Sequence, residues 1–450
     1  MSPDARGLEQ ANVPTRLDDL PLRFWVMAIA TGVGAGLGAI LMMKILRTVQ
    51  HWAFSYGHGQ FSAGVSHVSD QRLVLMLALG GLVTGVGLWC IRRFLGDTGG
   101  EPTEVVWTQS GRLSLIHTLL SGALSEITVG FGGSIGREAA PQRFGAAVAS
   151  FLGVHLGLGH SHRYILIACG AGAGLAAVYN APLAGALFAT EIYLGTVSLP
   201  LILPALLTSA VATAVARLGL PASTAYHVPA MAHFNLSLLG FSVVLGPAIG
   251  LASAGYIELI GWANDHRPQY RLLWIVPLPV FIGLGIIAIR YPLLLGNGID
   301  LAQFAFTGRG ALSIFAILAL LKPLVTSATL LSGASGGLFT PTMSFGAALG
   351  AFLGRAWTLC WPGPSDASYA LIAAAAMMAA AMEAPMTGVV FVIELTGRGL
   401  DTIVPILIAV VGATFTARHL NLRSIYSARL GPDLPAQDER GHSRPSLPLS

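Results

Sequence analysis

The chain has 450 residues, of which 54% are hydrophobic and only 10% charged, and its mean hydropathy is +0.69. Soluble domains carry about 25% charged residues, so a water-soluble globular protein is excluded and a polytopic membrane protein is expected. The net charge of +4 is too small for a nucleic-acid footprint and is read as topology, with basic residues in loops and tails. Cys90, Cys169 and Cys360 are scattered without metal-ligand spacing, so packed thiols and no metal are expected.

Taken in order, residues 1–21 are polar and mixed in charge and lack the apolar core and cleavage site of a signal peptide. They read as a cytoplasmic tail with an interfacial helix. The first span is expected over Phe24–Leu46. A polar stretch follows from Gln50 to Gln71, whose His51, His58 and His67 fit no single helical face and read as solvated loop residues. The second span, Leu73–Leu95, ends at Arg92 and Arg93 and the turn-rich Gly96–Pro102. From there to Leu194 the apolar pieces are short and broken. Pieces that cannot clear a hydrocarbon layer of about 30 Å must be tilted, re-entrant or buried in protein.

Long apolar runs resume at Leu201–Leu220, Leu238–Trp262 and Trp274–Leu295, and Gly296–Asp300 then plays the part of the turn at Gly96. Broken segments return from Ala311 to Leu395, and a last apolar run covers Ile403–Phe415. No alternating β pattern is found. The expected architecture is all-α: one membrane domain over 22–430, with halves at about 22–220 and 238–430, and a disordered tail over 431–450. The 55 glycines suit such a domain, because small residues let membrane helices approach closely.

The halves are related by duplication. Ser134–Gly153 (SIGREAAPQRFGAAVASFLG) returns in register as Ser335–Gly354 (SGGLFTPTMSFGAALGAFLG). Asn180–Gly185, with Phe188 and Glu191, is answered by Glu383–Gly388, with Phe391 and Glu394. Interrupted segments at matching places in two halves point to a transport site at their interface. Each copy of the first motif presents a glycine-rich loop and then a helix N-terminus, whose unpaired N–H groups attract anions.

Charges inside apolar segments are expensive and functional by default; here they are Glu126, Arg137, Glu138, Glu191, Glu258, Lys322, Glu383 and Glu394. Arg137 and Glu138 are the sharpest, because they stand at a repeated helix start where the second copy has the neutral Leu338 and Phe339. A carboxylate tethered there can hold the anion's place when charged and leave it when protonated, which would make Glu138 a gate. The alternative is a helix-capping glutamate paired with Arg137. Leu338 and Phe339 offer N–H donors in an apolar collar, suited to a dehydrated anion that must also leave. Phe339 as plain core is the other reading. Glu191 and Glu394 hold equivalent positions, so a shared framework or interface task stands beside a proton-handling one. Neither an HExxH motif nor a Ser/His pair lies in the spans, so an intramembrane enzyme is not supported. A scaffold without an ion pathway would not need Arg137 and Glu138 at a buried helix end.

These residues resemble the CLC family of chloride channels and chloride/proton antiporters. Gly133–Glu138 (GSIGRE) is similar to the family's GREGP motif and Gly337–Pro341 (GLFTP) to its GxFxP motif. Asn180–Phe188 (NAPLAGALF) and Ser424–Ser427 (SIYS) also match, so the likeness runs from the first span to Leu430. It implies two inverted-topology repeats, a homodimer in the plasma (inner) membrane and an anion pathway in each subunit. The transported partner is then chloride or another small anion, with protons added in the antiporters, and no cofactor or cytoplasmic CBS pair is expected.

Residue by residue, the resemblance makes Glu138 the external gating glutamate. Leu338 and Phe339, with Gly337 and Arg137 nearby, belong to the anion site, and the Tyr426 hydroxyl contacts the central anion. Three departures matter. Ala139 and Ala140 stand where the family has Gly-Pro. Gly99, or Thr98 if the loop is shifted, replaces the anion-binding serine, which opens the question of chloride against nitrate. Ile192 occupies the place of the antiporters' internal proton glutamate and cannot relay a proton. The expected function is therefore channel-like or weakly proton-coupled chloride transport, and the alternative is an antiporter reaching Glu138 by water or through Glu191.

Overall fold

The computed structural model describes residues 16–430 apart from 57–58, 97–100, 110–111, 229–234, 269–271, 362–365, 399 and 421–422. Most of the expected N-terminal tail, the whole C-terminal tail, His58, and Gly99 with Thr98 lie outside the described residues.

The described part is built of helices joined by loops: α1 (Leu22–Phe54), α2 (Phe61–Ser66), α3 (Asp70–Leu95), α4 (Pro102–Trp107), α5 (Leu115–Gly130), α6 (Ala139–His155), α7 (His160–Tyr179), α8 (Pro182–Phe188), α9 (Leu199–Ala216), α10 (Leu236–Asp265), α11 (Pro277–Arg290), α12 (Ile299–Thr307), α13 (Leu312–Leu331), α14 (Phe339–Cys360), α15 (Asp366–Met382), α16 (Pro385–Thr396) and α17 (Ile403–His419). By length and composition α1, α3, α9, α10 and α13 can cross a membrane. The rest are shorter or buried, as the broken hydropathy pattern leads one to expect.

Three expectations are corrected. The stretch from Ala311 to Leu395 is not broken throughout, because α13 is one continuous apolar helix that carries Pro323 in its interior and is long enough to span. The polar stretch after the first span is not all loop, because α1 runs on to Phe54 and carries His51, whose Nδ1 pairs with the Tyr56 carbonyl at 3.0 Å. The run expected over Trp274–Leu295 is helical only to Arg290 within α11. Pro292 disfavours helical backbone at the residue before it, and Tyr291 accordingly sits at φ −131°, ψ 68°.

At the centre, α7 is buried along nearly its whole length, and Ser368–Met382 of α15 is buried likewise. Both are rich in alanine, so neighbouring helices can pack against them closely. The duplication is visible in the backbone. Gly132 and Gly333 have φ 98° and 93°, and Asn180 and Glu383 end α7 and α15 at φ 54° and 55°. Ala181 and Ala384 follow at φ −128°, ψ 71° and φ −131°, ψ 75°, each leading into a proline that opens the next helix.

The repeats meet head to head. Gly136 and Gly337, equivalent in the two copies, form an antiparallel bridge, with Gly136 N donating to Gly337 O at 2.6 Å and Gly337 N to Gly136 O at 2.8 Å. A Cβ on either glycine would run into the Glu138 carboxylate, so the sequence needs glycine at both places. The α16 helix and the π-helical turn Ala189–Tyr193 that continues α8 each send a carboxylate to the helix start in the other repeat. Glu394 accepts from Leu183 N and Ala184 N at 3.1 and 2.7 Å, while Glu191 accepts from Met386 N, Thr387 N and Thr387 Oγ1 at 3.0, 2.7 and 2.7 Å. Each repeat therefore caps a helix start in the other.

Candidate functional site

The loops joined by the Gly136–Gly337 bridge release α6 and α14 from the same point. Both helices carry proline in their first turn, Pro141 and Pro341, where no N–H is needed for the helix ladder. The positive ends of the two dipoles, each equivalent to about half a unit charge, thus converge on a site inside apolar protein.

Glu138 fills that site. It is 1% exposed, and its Oε1 accepts from the Phe339 N–H at 2.8 Å. Its Oε2 lies 3.1 Å from the Tyr179 hydroxyl and 3.2 Å from Thr340 Oγ1, and these two hydroxyls also meet each other, so with one proton apiece they make two of these three bonds at a time. The Phe339 ring is fully buried and packs edge-on against Phe391, at 4.1 Å between centroids, and against Phe188 at 5.7 Å. The N-terminal donor is thereby rigidly placed. A carboxylate held by three donors stands in chemical terms for an anion, and any small anion using those donors must displace it.

The other expected residues fall as follows. Leu338, Gly337 and Tyr426 line a cavity of about 20 Å³ together with Glu138, room for one water-sized species. The Gly337 N–H is taken by Gly136, so Gly337 borders the cavity without offering a donor. The Tyr426 ring packs edge-on against Phe188 at 5.9 Å. Arg137 lies with its guanidinium carbon 5.3 Å from the centroid of the Tyr179 ring; it is not among the groups touching the Glu138 carboxylate. The Glu191 carboxylate is on α16, as described, and the buried Ile192 offers only its carbonyl, to Trp107 Nε1 at 3.2 Å. Glu126 is fully buried, with neither carboxylate oxygen hydrogen-bonded among the described residues, whereas Glu258 is exposed.

Sequence reasoning missed Tyr179, Thr340 and Arg143, and it singled out Lys322 without its partner. Lys322, fully buried, donates to Ser134 Oγ at 2.8 Å. The equivalent Ser335 accepts from Arg143 Nη1 at 2.7 Å. Arg143 also grips Glu101, donating from Nε to Oε2 at 3.0 Å and from Nη2 to Oε1, and Arg429 Nη2 reaches the same Oε1 at 3.1 Å. Burial pushes the Glu101 carboxyl up, but Arg143, then Arg429 and Arg267, bring it down to about 2. The available signals were the position of Tyr179 just before the repeated Ala-Pro motif (Asn180–Pro182 and Glu383–Pro385) and the repetition of serine at 134 and 335.

The sequence pattern of the voltage gated chloride channel family matches residues 87–418. A voltage-gated ClC-type chloride channel, ClcB, of Salmonella typhi is 30% identical over 413 residues, covering 89% of this chain and 97% of that one. Among solved structures, a slow cyanobacterial Cl−/H+ antiporter superposes with a TM-score of 0.79 at 22% identity, over 91% of this chain and 97% of that one. A CLC-type fluoride/proton antiporter gives 0.73 at 22% identity, over 90% and 97%.

Proposed function

The chain belongs to the voltage gated chloride channel family, integral membrane proteins of chloride transport, and on that premise we propose that Glu138 gates an anion pathway that is uncoupled from protons or only weakly coupled. The observation that carries this reading is the seating of the Glu138 carboxylate on the Phe339 N–H, the Tyr179 hydroxyl and Thr340. Charged, it competes with chloride for those donors. Protonated, it loses that advantage and swings out, leaving the two helix N-termini to the anion. The donors are neutral, so the anion binds without the slow exit that a fixed cation would impose.

Weak coupling is supported by what stands on the inner proton route. Ile192 has no ionisable group, and the Glu191 carboxylate is engaged by three donors of α16. The second reading, an antiporter with a water-filled proton path, is favoured by the likeness in fold to two proton-coupled transporters. Proteoliposomes given only a chloride gradient test the two. Chloride efflux without a change in external pH is expected. Uphill proton movement that Glu138→Gln blocks would overturn the uncoupled reading.

The same reading makes the protein a homodimer in the plasma membrane. Exposed apolar residues on the adjoining α8, α9, α16 and α17, among them Leu183, Leu199, Met386, Leu407, Val411 and Phe415, supply a surface that can face itself across a two-fold axis.

A further inference from the structure

Gly246 and Gly250 of α10 let α17 come close, since a Cβ on them would stand 2.9 and 2.6 Å from the carbonyl oxygens of Ala409 and Ala413. Gly255, further along the same helix, serves no such contact: a Cβ there would meet nothing within 4 Å. It opens instead onto a hollow of about 420 Å³ between α10, α13 and α14, walled by Leu259, Pro323, Phe345, Leu349 and Phe352 among others. A hollow of that size lies within the range of about 300–1,000 Å³ that holds organic ligands. Tyr256 is the only lining residue with a polar side chain, and its ring packs on Phe345 at 5.4 Å between centroids. Water does not settle in a hollow so apolar. Leu320 and Leu324 in its wall are 67% and 46% exposed, and Leu251 on α10 is 64% exposed, so the opening is continuous with the outer surface of two helices that can cross a membrane. What reaches it there is hydrocarbon.

Glu258 adds a charge to the rim. It is exposed, three residues after Gly255 and one before Leu259, both of which line the hollow. It falls in one helical stripe with the exposed Val244, Leu251 and Trp262, and its carboxylate has no hydrogen-bond or ion-pair partner among the described residues. Trp262, one turn further on, stacks with His266 at 4.9 Å, and indoles gather at the boundary between bilayer and water. From Glu258 to the helix end at Asp265 is about 10 Å at 1.5 Å per residue. A carboxylate at that depth on a lipid-facing stripe calls for a cation.

We propose that the hollow and Glu258 together bind one phospholipid with an ethanolamine headgroup, an acyl chain lying in the hollow and the ammonium pairing with the Glu258 carboxylate. The charge decides the class. An ammonium donates charge-assisted hydrogen bonds to a carboxylate, whereas a glycerol-headed phospholipid or a free fatty acid brings only a second negative charge to the rim. The chain lies against Phe345, Leu349 and Phe352 of α14 and so backs the helix whose first N–H seats Glu138. The site follows from the membrane location of the protein and does not depend on Glu138 being a gate.

Photo-crosslinking of the full-length protein tests the site. The protein is reconstituted in vesicles of ethanolamine and glycerol phospholipids, with a diazirine in the acyl chain of one or the other, and the adducts formed on illumination are mapped by peptide mass spectrometry. In the parent the ethanolamine probe is expected to mark Gly255–Leu259 and Phe345–Phe352 about fivefold more than the glycerol probe. Gly255→Leu, whose side chain has room to enter the hollow, is expected to cut those adducts about fivefold while adducts elsewhere stay. Glu258→Gln is expected to bring the two probes to parity by lowering the ethanolamine one. Unchanged adducts in Gly255→Leu, or equal marking by the two probes in the parent, would overturn the proposal. Should Gly255→Leu not fold, an unchanged probe ratio in Glu258→Gln overturns it alone. Anion flux enters none of these measurements, so loss of the gate reading and loss of the lipid site are told apart.

Discussion

The Phe339 N–H donates to the Glu138 carboxylate at 2.8 Å across 201 residues of sequence. The first repeat supplies the anion-like group and the second the helix end that receives it, so the site exists only where the two copies meet. Everything proposed for the pathway depends on whether that carboxylate stays or leaves.

Glu138→Ala is therefore expected to abolish the dependence of anion flux on external pH while flux itself survives, because no charged side chain remains to compete for the donors. Chloride efflux from proteoliposomes at several external pH values checks this. A pH dependence of normal steepness in the variant would move the gate to another group.

Tyr179→Phe removes one of the three donors that seat Glu138 and keeps the ring that packs on Phe391. A hydrogen bond of this kind is worth about 1 kcal/mol, so Glu138 should vacate more readily and flux at neutral pH should rise about fivefold. Flux equal to that of the parent protein would show that the hydroxyl does not restrain the gate.

Glu191→Gln and Glu394→Gln should act alike, because the two carboxylates perform the same task in opposite repeats. Each loses charge-assisted bonds at a helix start, at a cost of about 1–2 kcal/mol, read as earlier thermal inactivation in detergent. Proton movement under a chloride gradient should be the same in Glu191→Gln as in the parent. A selective loss of proton movement there, with stability intact, would make Glu191 a relay.

Acid should reveal Glu101. Its carboxyl falls from 4.5 to about 2 under the pull of Arg143 and Arg429, so the folded state binds the proton less well than the unfolded chain. The stability this pairing gives is fully present above about pH 4.5 and is lost as the pH falls towards about 2. Acid unfolding should accordingly be less steep in Glu101→Gln between those values, and equal steepness would count against the pairing. Between pH 5 and 8 Glu101 stays ionised, so an external-pH response in that range is not expected to come from it.

Val411→Trp with Leu407→Trp, both on the exposed apolar face of α17, should convert a dimer into monomers by overfilling a self-complementary surface. Light scattering in detergent reads the mass; an unchanged dimer would place the interface elsewhere.

The sequence by itself determined the class of protein, the duplication and the place of Glu138 at a helix start, because these can be read along the chain. Hydropathy sets which segments can enter a bilayer. The repeated glycine-rich loop with proline in the following first turn sets where α6 and α14 begin, and a charge at that point stands out in an apolar chain. The limits of α1 and α11 were less legible, since polar residues such as Gln50 and His51 can extend a helix and Pro292 can end one inside an apolar run. What only the tertiary structure decided is the identity of partners. Two equivalent glutamates, Glu191 and Glu394, read the same in sequence whether they face water, a second subunit or each other's repeat. Glu101 reads as a charge in a turn and Arg143 as an ordinary helix residue, until folding brings them together with Arg429. Hydrogen-bond geometry between segments 200 residues or more apart, as at Phe339 and Glu138 or Arg429 and Glu101, is fixed by how the two repeats dock, and no local periodicity carries that information.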